Sequence, residues 1–449
     1  MKDRKLVVIG GDAAGMSAAS KVRREHPDRE IVVFERGRHT SYAACGMPYY
    51  IAGQIESAEK LVARAPQVFR DKQQIDVRTR HEVVEIDTTG QRVRVRDLDS
   101  EREFEESWDE LLIATGAAPI VPDLPGVDAP GVFSLSTLQS GIDVFEDMER
   151  NTPRRAVIVG GGYIGIEMAE ALLDRNLEVT LIDMAPQVMS TMDSDMTESI
   201  TETMREAGVE VLLGEALKGI ETGSEGRVRQ VVTDQRRIDA DLVILGIGIR
   251  PRSELAEAAG IGLGAANAIR VDSRMQTAVP HVWAAGDCAE SFHIVKEEPV
   301  FIALGTVANK HGLVAGINLS GGTMQFPGVL GTAITRFQDL EIARTGLSEK
   351  ESRDMGIASR AKAIEAMTRS HYFPGAGKIK VKLVVEDDTG RLLGGQIVGR
   401  AGAAKRIDTI AAAITAGMTA EQVTYLDLSY APPFSPVWDP VQIAARTLS

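Results

Sequence analysis

The chain has 449 residues, too many for one ordinary domain, and about three domains of usual size fit that length. Its 43 glycines against 18 prolines, with 44% hydrophobic and 5% aromatic residues, suit an α/β enzyme and exclude collagenous, coiled-coil and low-complexity chains. A formal charge of -14 argues against nucleic acid or an anionic membrane as the main partner. No run reaches the roughly 18 apolar residues of a membrane span, and the N-terminal MKDRKLVVIGG enters a strand without a signal-peptide pattern, so a cytoplasmic location is expected. Two cysteines, Cys45 and Cys288, cannot make a disulfide scaffold or a four-cysteine zinc site, and no metal is expected. Neither lies in a C-x-x-C pair, so any cysteine chemistry here belongs to one cysteine at a time.

Residues 6–9 form a β-branched run that reads as a strand buried on both faces. A glycine turn, a helix from Ala13 to about Glu25 and a strand over 31–34 closing on Glu35 complete a βαβ unit. Residues 83–96 and 101–106 alternate like antiparallel strands, and 111–114 reads as another buried strand. The opening grammar then returns: strand 156–159, glycines, helix 163–175, strand 179–182, then Asp183. A further core strand covers 242–245, and the strand 282–285 has no partner in the second domain, so the chain is expected to return to the first. Beyond about residue 330, strands at 340–344, 378–385 and 392–398 precede helices at 403–416 and 420–425.

The second loop, Gly160-Gly161-Gly162-Tyr163-Ile164-Gly165, satisfies G-x-G-x-x-G between strand and helix, with Asp183 18 residues after its last glycine. The glycines allow a pyrophosphate to approach the backbone at a helix N-terminus, and the acid accepts from a ribose 2′-hydroxyl. Met184, Ala185 and Pro186 offer no cation for a 2′-phosphate, so NADH is expected over NADPH, with NADPH still possible. The first loop, Gly10-Gly11-Asp12-Ala13-Ala14-Gly15, keeps its outer glycines but carries Asp12 where the middle one belongs. An aspartate beside a pyrophosphate is expected to turn outward or cap the helix. Glu35 again suits a ribose. Two dinucleotides on one chain suggest a resident flavin and a visiting nicotinamide.

Ala114-Thr115-Gly116 and Ala285-Gly286-Asp287, each after a strand, resemble the flavin-contacting motifs of two-dinucleotide flavoprotein reductases. Ser41-Tyr42-Ala43-Ala44-Cys45-Gly46-Met47-Pro48-Tyr49 resembles the single-cysteine branch of the FAD-dependent pyridine nucleotide-disulfide oxidoreductases, which holds coenzyme A disulfide reductases, persulfide and polysulfide reductases, NADH oxidases and NADH peroxidases. Residues 402–408 and 430–435 look like the dimerisation domain of the coenzyme A disulfide reductase group. The resemblance implies an α/β fold with two Rossmann-like dinucleotide-binding domains and a C-terminal α+β dimerisation domain. Its boundaries would be 1–120 and 248–325 for the FAD domain, 121–247 for NAD(P)H and 326–449 for dimerisation.

The same resemblance implies FAD contacts from Gly10, Asp12, Ala14, Gly15, Glu35 and Arg36, from Ser41, Val83, Thr115 and Gly116, and from Asp287 and Ala303, with Asp287 on the ribityl chain. For NAD(P)H it implies Gly160, Gly162, Tyr163, Ile164, Gly165, Glu167, Asp183 and Gly248, with Tyr163 shielding the nicotinamide pocket. Cys45 would attack a disulfide or persulfide sulfur, Tyr372 and Tyr430 would serve the leaving thiolate from the other subunit of a homodimer, and Arg24 and Ser41 would meet coenzyme A. Gly46-Met47-Pro48-Tyr49 reads as a first helical turn that would favour the Cys45 thiolate. Oxidase and peroxidase relatives carry a histidine where this chain has Ala13, which favours sulfur over oxygen. The alternative is an NADH oxidase that reduces O2 through a cysteine sulfenic acid. Ala44 stands where many coenzyme A disulfide reductases have asparagine. Cys288 reads as an ordinary small buried side chain.

Overall fold

The computed structural model describes residues 4–449. The chain folds into two compact units, one of Met1–Ile120, Leu135–Arg150 and Gly248–Val329, the other of Val121–Ser134, Asn151–Ile247 and Leu330–Ser449.

The first unit is built on a parallel five-stranded sheet in the order Val282–Ala284, Glu110–Ile113, Leu6–Ile9, Ile31–Glu35, Asp76–Thr79. The return of the chain at 282 is thus an edge addition beside Glu110–Ile113. Because side chains alternate across a strand, the β-branched runs fill two cores at once. Leu6, Val8, Val33 and Leu112 pack with Ala14, Ala18 and Ala315 on one face. Val7, Val32, Phe34 and Ile113 pack on the other with Val93 and Val95 from an antiparallel ribbon of His81–Asp87, Arg92–Asp97 and Glu103–Ser107, and with Trp108 just beyond it. Two helices, Ala13–Glu25 and Gly305–Leu319, lie against each other at Gly312 and Gly316. A Cβ on Gly312 would strike the Ala14 carbonyl, and one on Gly316 would come within 2.8 Å of Lys21 Cβ.

The second unit repeats the parallel sheet as Glu210–Leu213, Glu178–Asp183, Arg155–Val159, Leu242–Leu245, Val132–Phe133. It adds a five-stranded antiparallel sheet, Ala333–Phe337, Leu340–Gly346, Leu392–Gly399, Lys378–Glu386, Ser359–Met367. The sequence reading separates 121–247 from 326–449, whereas packing gathers them into one unit. Asp193 accepts from the Glu349 and Lys350 amides at 3.0 and 3.1 Å and from Gln396 Nε2 at 2.6 Å. Buried Lys382 then reaches Asp193, Asp195 and Glu349 at 3.3, 2.8 and 2.8 Å, which neutralises charges that would be costly alone. Residues 135–150 pack with the first unit. The expected helix over 403–416 is a 3-10 turn, Ala404–Arg406, followed by Ile407–Thr415. Among the described residues no helix is long and apolar enough to cross a membrane.

Gly312→Val should destabilise the first unit by about 1–3 kcal/mol through overpacking, read as a lowered thermal midpoint. Leu313→Val, on the exposed side of the same helix, serves as the control.

Candidate active site

Both glycine turns are built the same way. Gly10 (φ 108°) and Gly160 (φ 105°) occupy backbone conformations that disfavour a side chain, and a Cβ on either would collide with a carbonyl of the neighbouring strand's exit, Ala114 or Gly246. A Cβ on Gly15 or Gly165 would strike the carbonyl of Gly10 or Gly160, so each helix can start only this close to its strand with glycine there. At Glu35 one carboxylate oxygen accepts from Gly11 N at 2.8 Å and the other from Gly37 N at 2.6 Å. Asp183 repeats this with Gly161 N at 2.7 Å and Ala185 N at 2.8 Å. A carboxylate has about four acceptor sites, so each acid keeps capacity for a sugar hydroxyl while holding its turn. The helices that follow, Ala13–Glu25 and Tyr163–Asp174, direct their first amides and the positive end of the dipole at the turn.

The departure at Asp12 resolves differently from the sequence expectation. Asp12 is the N-cap residue, yet its carboxyl makes no capping bond and instead accepts from Tyr42 N at 3.1 Å. Ser41 N donates to Gly11 O at 3.2 Å beside it, and Ser41 adopts φ 47°. The first dinucleotide turn therefore holds the loop that carries Cys45. Burial pushes the Asp12 carboxyl up to about 6, with the Tyr42 amide opposing and Glu35 and Asp287 adding like charge.

Thr115-Gly116 and Asp287 leave the carboxyl ends of adjacent parallel strands, the end of such a sheet where ligands bind. Thr115 Oγ1 donates to Arg252 O at 2.6 Å, and Gly116 has φ 70°. Gly286 has φ 82°, and a Cβ there would come within 2.8 Å of Ala14 Cβ, which seats the Asp287 turn over the start of the first helix. Asp287 Oδ1 is buried without a hydrogen-bond partner, and burial pushes this carboxyl up to about 6. An unmet acceptor at the sheet's carboxyl end fits a hydroxyl of a bound flavin nucleotide. His311, which the sequence reading did not single out, lies behind this turn. Its Nδ1 accepts from Gly286 N at 3.4 Å, its Nε2 faces Ser291 Oγ at 3.1 Å, and burial lowers its pKa to about 4, so it is neutral. Nothing in the sequence marks it apart from other residues of an apolar helix.

Cys45 is exposed in the 3-10 turn Ala44–Gly46. The helix after it, Met47–Ile51, has Pro48 in its first turn as expected, but it spans five residues with Gly46 as N-cap, so Cys45 sits one residue ahead of the cap and faces a small dipole. Cys288 is fully buried, its thiol donating to Ala285 O and Ile113 O at 3.4 and 3.5 Å, and burial raises its pKa.

Of the remaining residues in the first unit, Arg36 pairs with Glu82 at 3.5 Å, Val83 is buried on its strand, Ala303 is half-buried ahead of Gly305–Leu319, and Gly248 has φ 122°. Arg24 is exposed in the last turn of the first helix. In the second unit, a Cβ on Gly162 would meet nothing within 4 Å, so this turn is open where a phosphate would approach. Tyr163 and Ile164 open the following helix, and burial raises the pKa of the Tyr163 phenol, with Arg344 and Thr191 opposing. Burial raises the Glu167 carboxyl against a 2.8 Å bond from Thr335 Oγ1. Tyr372 and Tyr430, 65% and 47% exposed, ride on loops joined by Ser370 N to Pro432 O at 3.3 Å. Among the described residues no group of three or more His, Cys, Asp or Glu could hold a metal.

Residues 4–312 match the family model of the pyridine nucleotide-disulphide oxidoreductases, and residues 332–440 match that family's dimerisation domain. The NAD(P)H sulfur oxidoreductase (CoA-dependent) of Pyrococcus furiosus is 45% identical over 449 residues, covering 100% of both chains. The NAD-dependent persulfide reductase of A. fulgidus superposes with TM-score 0.95 at 38% identity, over 99% of this chain and 82% of that one. Reduced CoADR-RHD of Bacillus anthracis superposes with TM-score 0.96 at 35% identity, over 99% and 80%.

Replacing Asp287 by Asn should separate the apoproteins in a pH-dependent way. A carboxyl held above its ordinary 3.8 in the fold lends stability at low pH that is lost as pH rises through about 6. Asp287→Asn should therefore gain on wild type by about 1–3 kcal/mol between pH 4 and pH 7, in chemical denaturation followed across that range. A constant difference would place the carboxyl in water.

Proposed function

The chain belongs to the pyridine nucleotide-disulphide oxidoreductase family, and from that premise we propose that it is a homodimeric flavoprotein reductase that uses NAD(P)H to reduce coenzyme A disulfide or a related persulfide or polysulfide at Cys45. The observation that carries this reading is one exposed cysteine on a loop hung from the first dinucleotide turn. Cys288, the only other, is sealed in the core.

Bound FAD supplies the two-electron link between a nicotinamide and sulfur. Gly10, Gly15 and Glu35 would hold its pyrophosphate and ribose, Asp287 a hydroxyl of its chain, and Gly160, Gly162 and Asp183 the visiting nicotinamide nucleotide. Cys45 as thiolate attacks one sulfur of the substrate; a Cys45–S bond forms, the substrate S–S bond breaks, and one thiolate leaves. Tyr430 and Tyr372 offer phenol hydroxyls to hydrogen-bond or protonate that leaving group, from the other subunit of the dimer. The mixed disulfide then takes up two electrons and a proton, which frees the second thiol and restores the Cys45 thiolate. With Ala13 in the first turn, there is no side chain at that position to transfer protons for a peroxide.

Asp183 has Met184, 79% exposed, and Ala185 beside it, and no basic side chain follows on that turn. A 2′-phosphate would meet the carboxylate without a cation, so NADH should exceed NADPH in kcat/KM by about tenfold to a hundredfold, and Asp183→Ala should narrow the gap by improving NADPH.

The test of the function is steady-state NADH oxidation with coenzyme A disulfide, coenzyme A persulfide, polysulfide and O2 side by side. Wild type should favour a sulfur substrate. Cys45→Ser should lose sulfur turnover while the flavin still bleaches with NADH and leaks some peroxide in air. Faster four-electron reduction of O2 to water by wild type would replace this reading with an NADH oxidase.

A further inference from the structure

The two tyrosines assigned to the leaving thiolate share an uncommon situation. Both are exposed on irregular loops, so side-chain packing does little to fix where their hydroxyls stand. One partly buried cation reaches the backbone of both loops. Arg406, at the end of the 3-10 turn Ala404–Arg406, donates through Nη2 to Thr368 O at 2.6 Å and to Phe434 O at 2.9 Å. Thr368 lies four residues before Tyr372, and Phe434 four residues after Tyr430. Nε donates to Asp439 Oδ2 at 2.8 Å and Nη1 to Gly402 O at 3.0 Å, which fixes the guanidinium plane.

The surroundings make the clamp two-sided. Thr368 is fully buried and closes its own loop, its amide donating to Gly377 O at 2.8 Å and its hydroxyl accepting from Gly377 N at 3.0 Å. Asp439 caps the helix Pro440–Arg446 through Val441 N at 2.9 Å and accepts from Ser435 Oγ at 3.2 Å, so it ties the second loop to that helix. Arg406 and Asp439 side chains are each only 13% exposed, so water competes little for the ion pair between them, while the bonds to Phe434 O and Gly402 O lie nearer solvent. A guanidinium carries five donors in a planar fork that can serve a carboxylate and several carbonyls at once, which an ammonium on a flexible stem does not reproduce.

We propose that Arg406 is a positioning residue for the sulfur step: by holding Thr368 O and Phe434 O in one fork, it sets the Tyr372 and Tyr430 loops at a fixed separation, so that both phenols address the same leaving thiolate. This rests on the reading of the two tyrosines given above. Arg406 touches neither substrate nor cofactor in this role.

The test compares Arg406→Lys with wild type in the FAD-loaded dimer. Lysine can keep the ion pair with Asp439 but not span both carbonyls. Amide hydrogen exchange should quicken together in 369–377 and 430–436. Anaerobic flavin bleaching by NADH should keep its wild-type rate, while turnover of coenzyme A disulfide should fall about tenfold to a hundredfold in kcat, as expected when reacting groups are misplaced. In a Tyr372→Phe/Tyr430→Phe background, Arg406→Lys should add no further slowing, because the hydroxyls it positions are already gone. Additive slowing there would reduce Arg406 to general packing, and a wild-type sulfur step in Arg406→Lys would overturn the inference directly. If the double tyrosine variant itself turns over at the wild-type rate, the reading of the tyrosines has failed and the positioning role falls with it. Should Arg406→Lys not fold, Asp439→Asn, which keeps an acceptor and the helix cap, should show weaker effects in the same two loops; unchanged exchange there would equally overturn the proposal.

Discussion

Each half of the nucleotide machinery depends on one contact, a carboxylate at the end of a second strand that grips the amides of the glycine turn. Glu35 does this with Gly11 and Gly37, Asp183 with Gly161 and Ala185. The contact fixes a turn that would otherwise be the loosest part of a βαβ unit, and it does so with a group that still has acceptor capacity to spare. The collisions that a Cβ would make at Gly10, Gly15, Gly160 and Gly165 show how tightly helix and strand are then drawn together. The open space around Gly162 shows where the backbone is left accessible.

In the first unit the same turn carries a second load. Gly11 O and the Asp12 carboxyl receive two successive amides of the Cys45 loop, so this loop is tied to the backbone of the first glycine turn. Placing an acid in a glycine position has an electrostatic cost, visible in the raised Asp12 carboxyl. What it offsets is the loss of order in a segment that includes the positive φ of Ser41 and only one short helix.

The Asp287 turn of the first unit and the Tyr372 and Tyr430 loops of the second are organised by different physics. Around Asp287 and His311, groups are buried and one acceptor is unmet, so the environment is ready for a ligand that brings donors. Around Tyr372 and Tyr430 the side chains are exposed, and order comes from backbone carbonyls gathered by a single guanidinium. With Phe434 76% and Trp438 41% exposed on the same stretch, this region of the dimerisation domain presents an apolar surface suited to burial against a second copy.

Local signals were strong where one run of residues does one job. The strand at Leu6–Ile9, the helix Ala13–Glu25, the return of the same grammar at Arg155–Val159 and the acids Glu35 and Asp183 could be read from hydrophobic runs and glycine spacing, because a strand buried on both faces must be apolar throughout and a phosphate turn must be glycine. The edge strand Ser359–Met367 escaped, since an alanine-rich half-exposed strand with Ile364 as its one β-branched residue carries a weak strand signal. So did the helices Glu349–Asp354 and Pro440–Arg446, which are marked by capping boxes but too short to show a periodic face. What only the tertiary structure decided were the partners of groups whose neighbours are remote in the chain: that Asp12 turns to Tyr42 and does not cap its helix, that His311 stands behind Gly286, and that Arg406 reaches Thr368 and Phe434. A residue type states how many hydrogen bonds a group needs, and only the packed chain determines which groups come near enough to supply them.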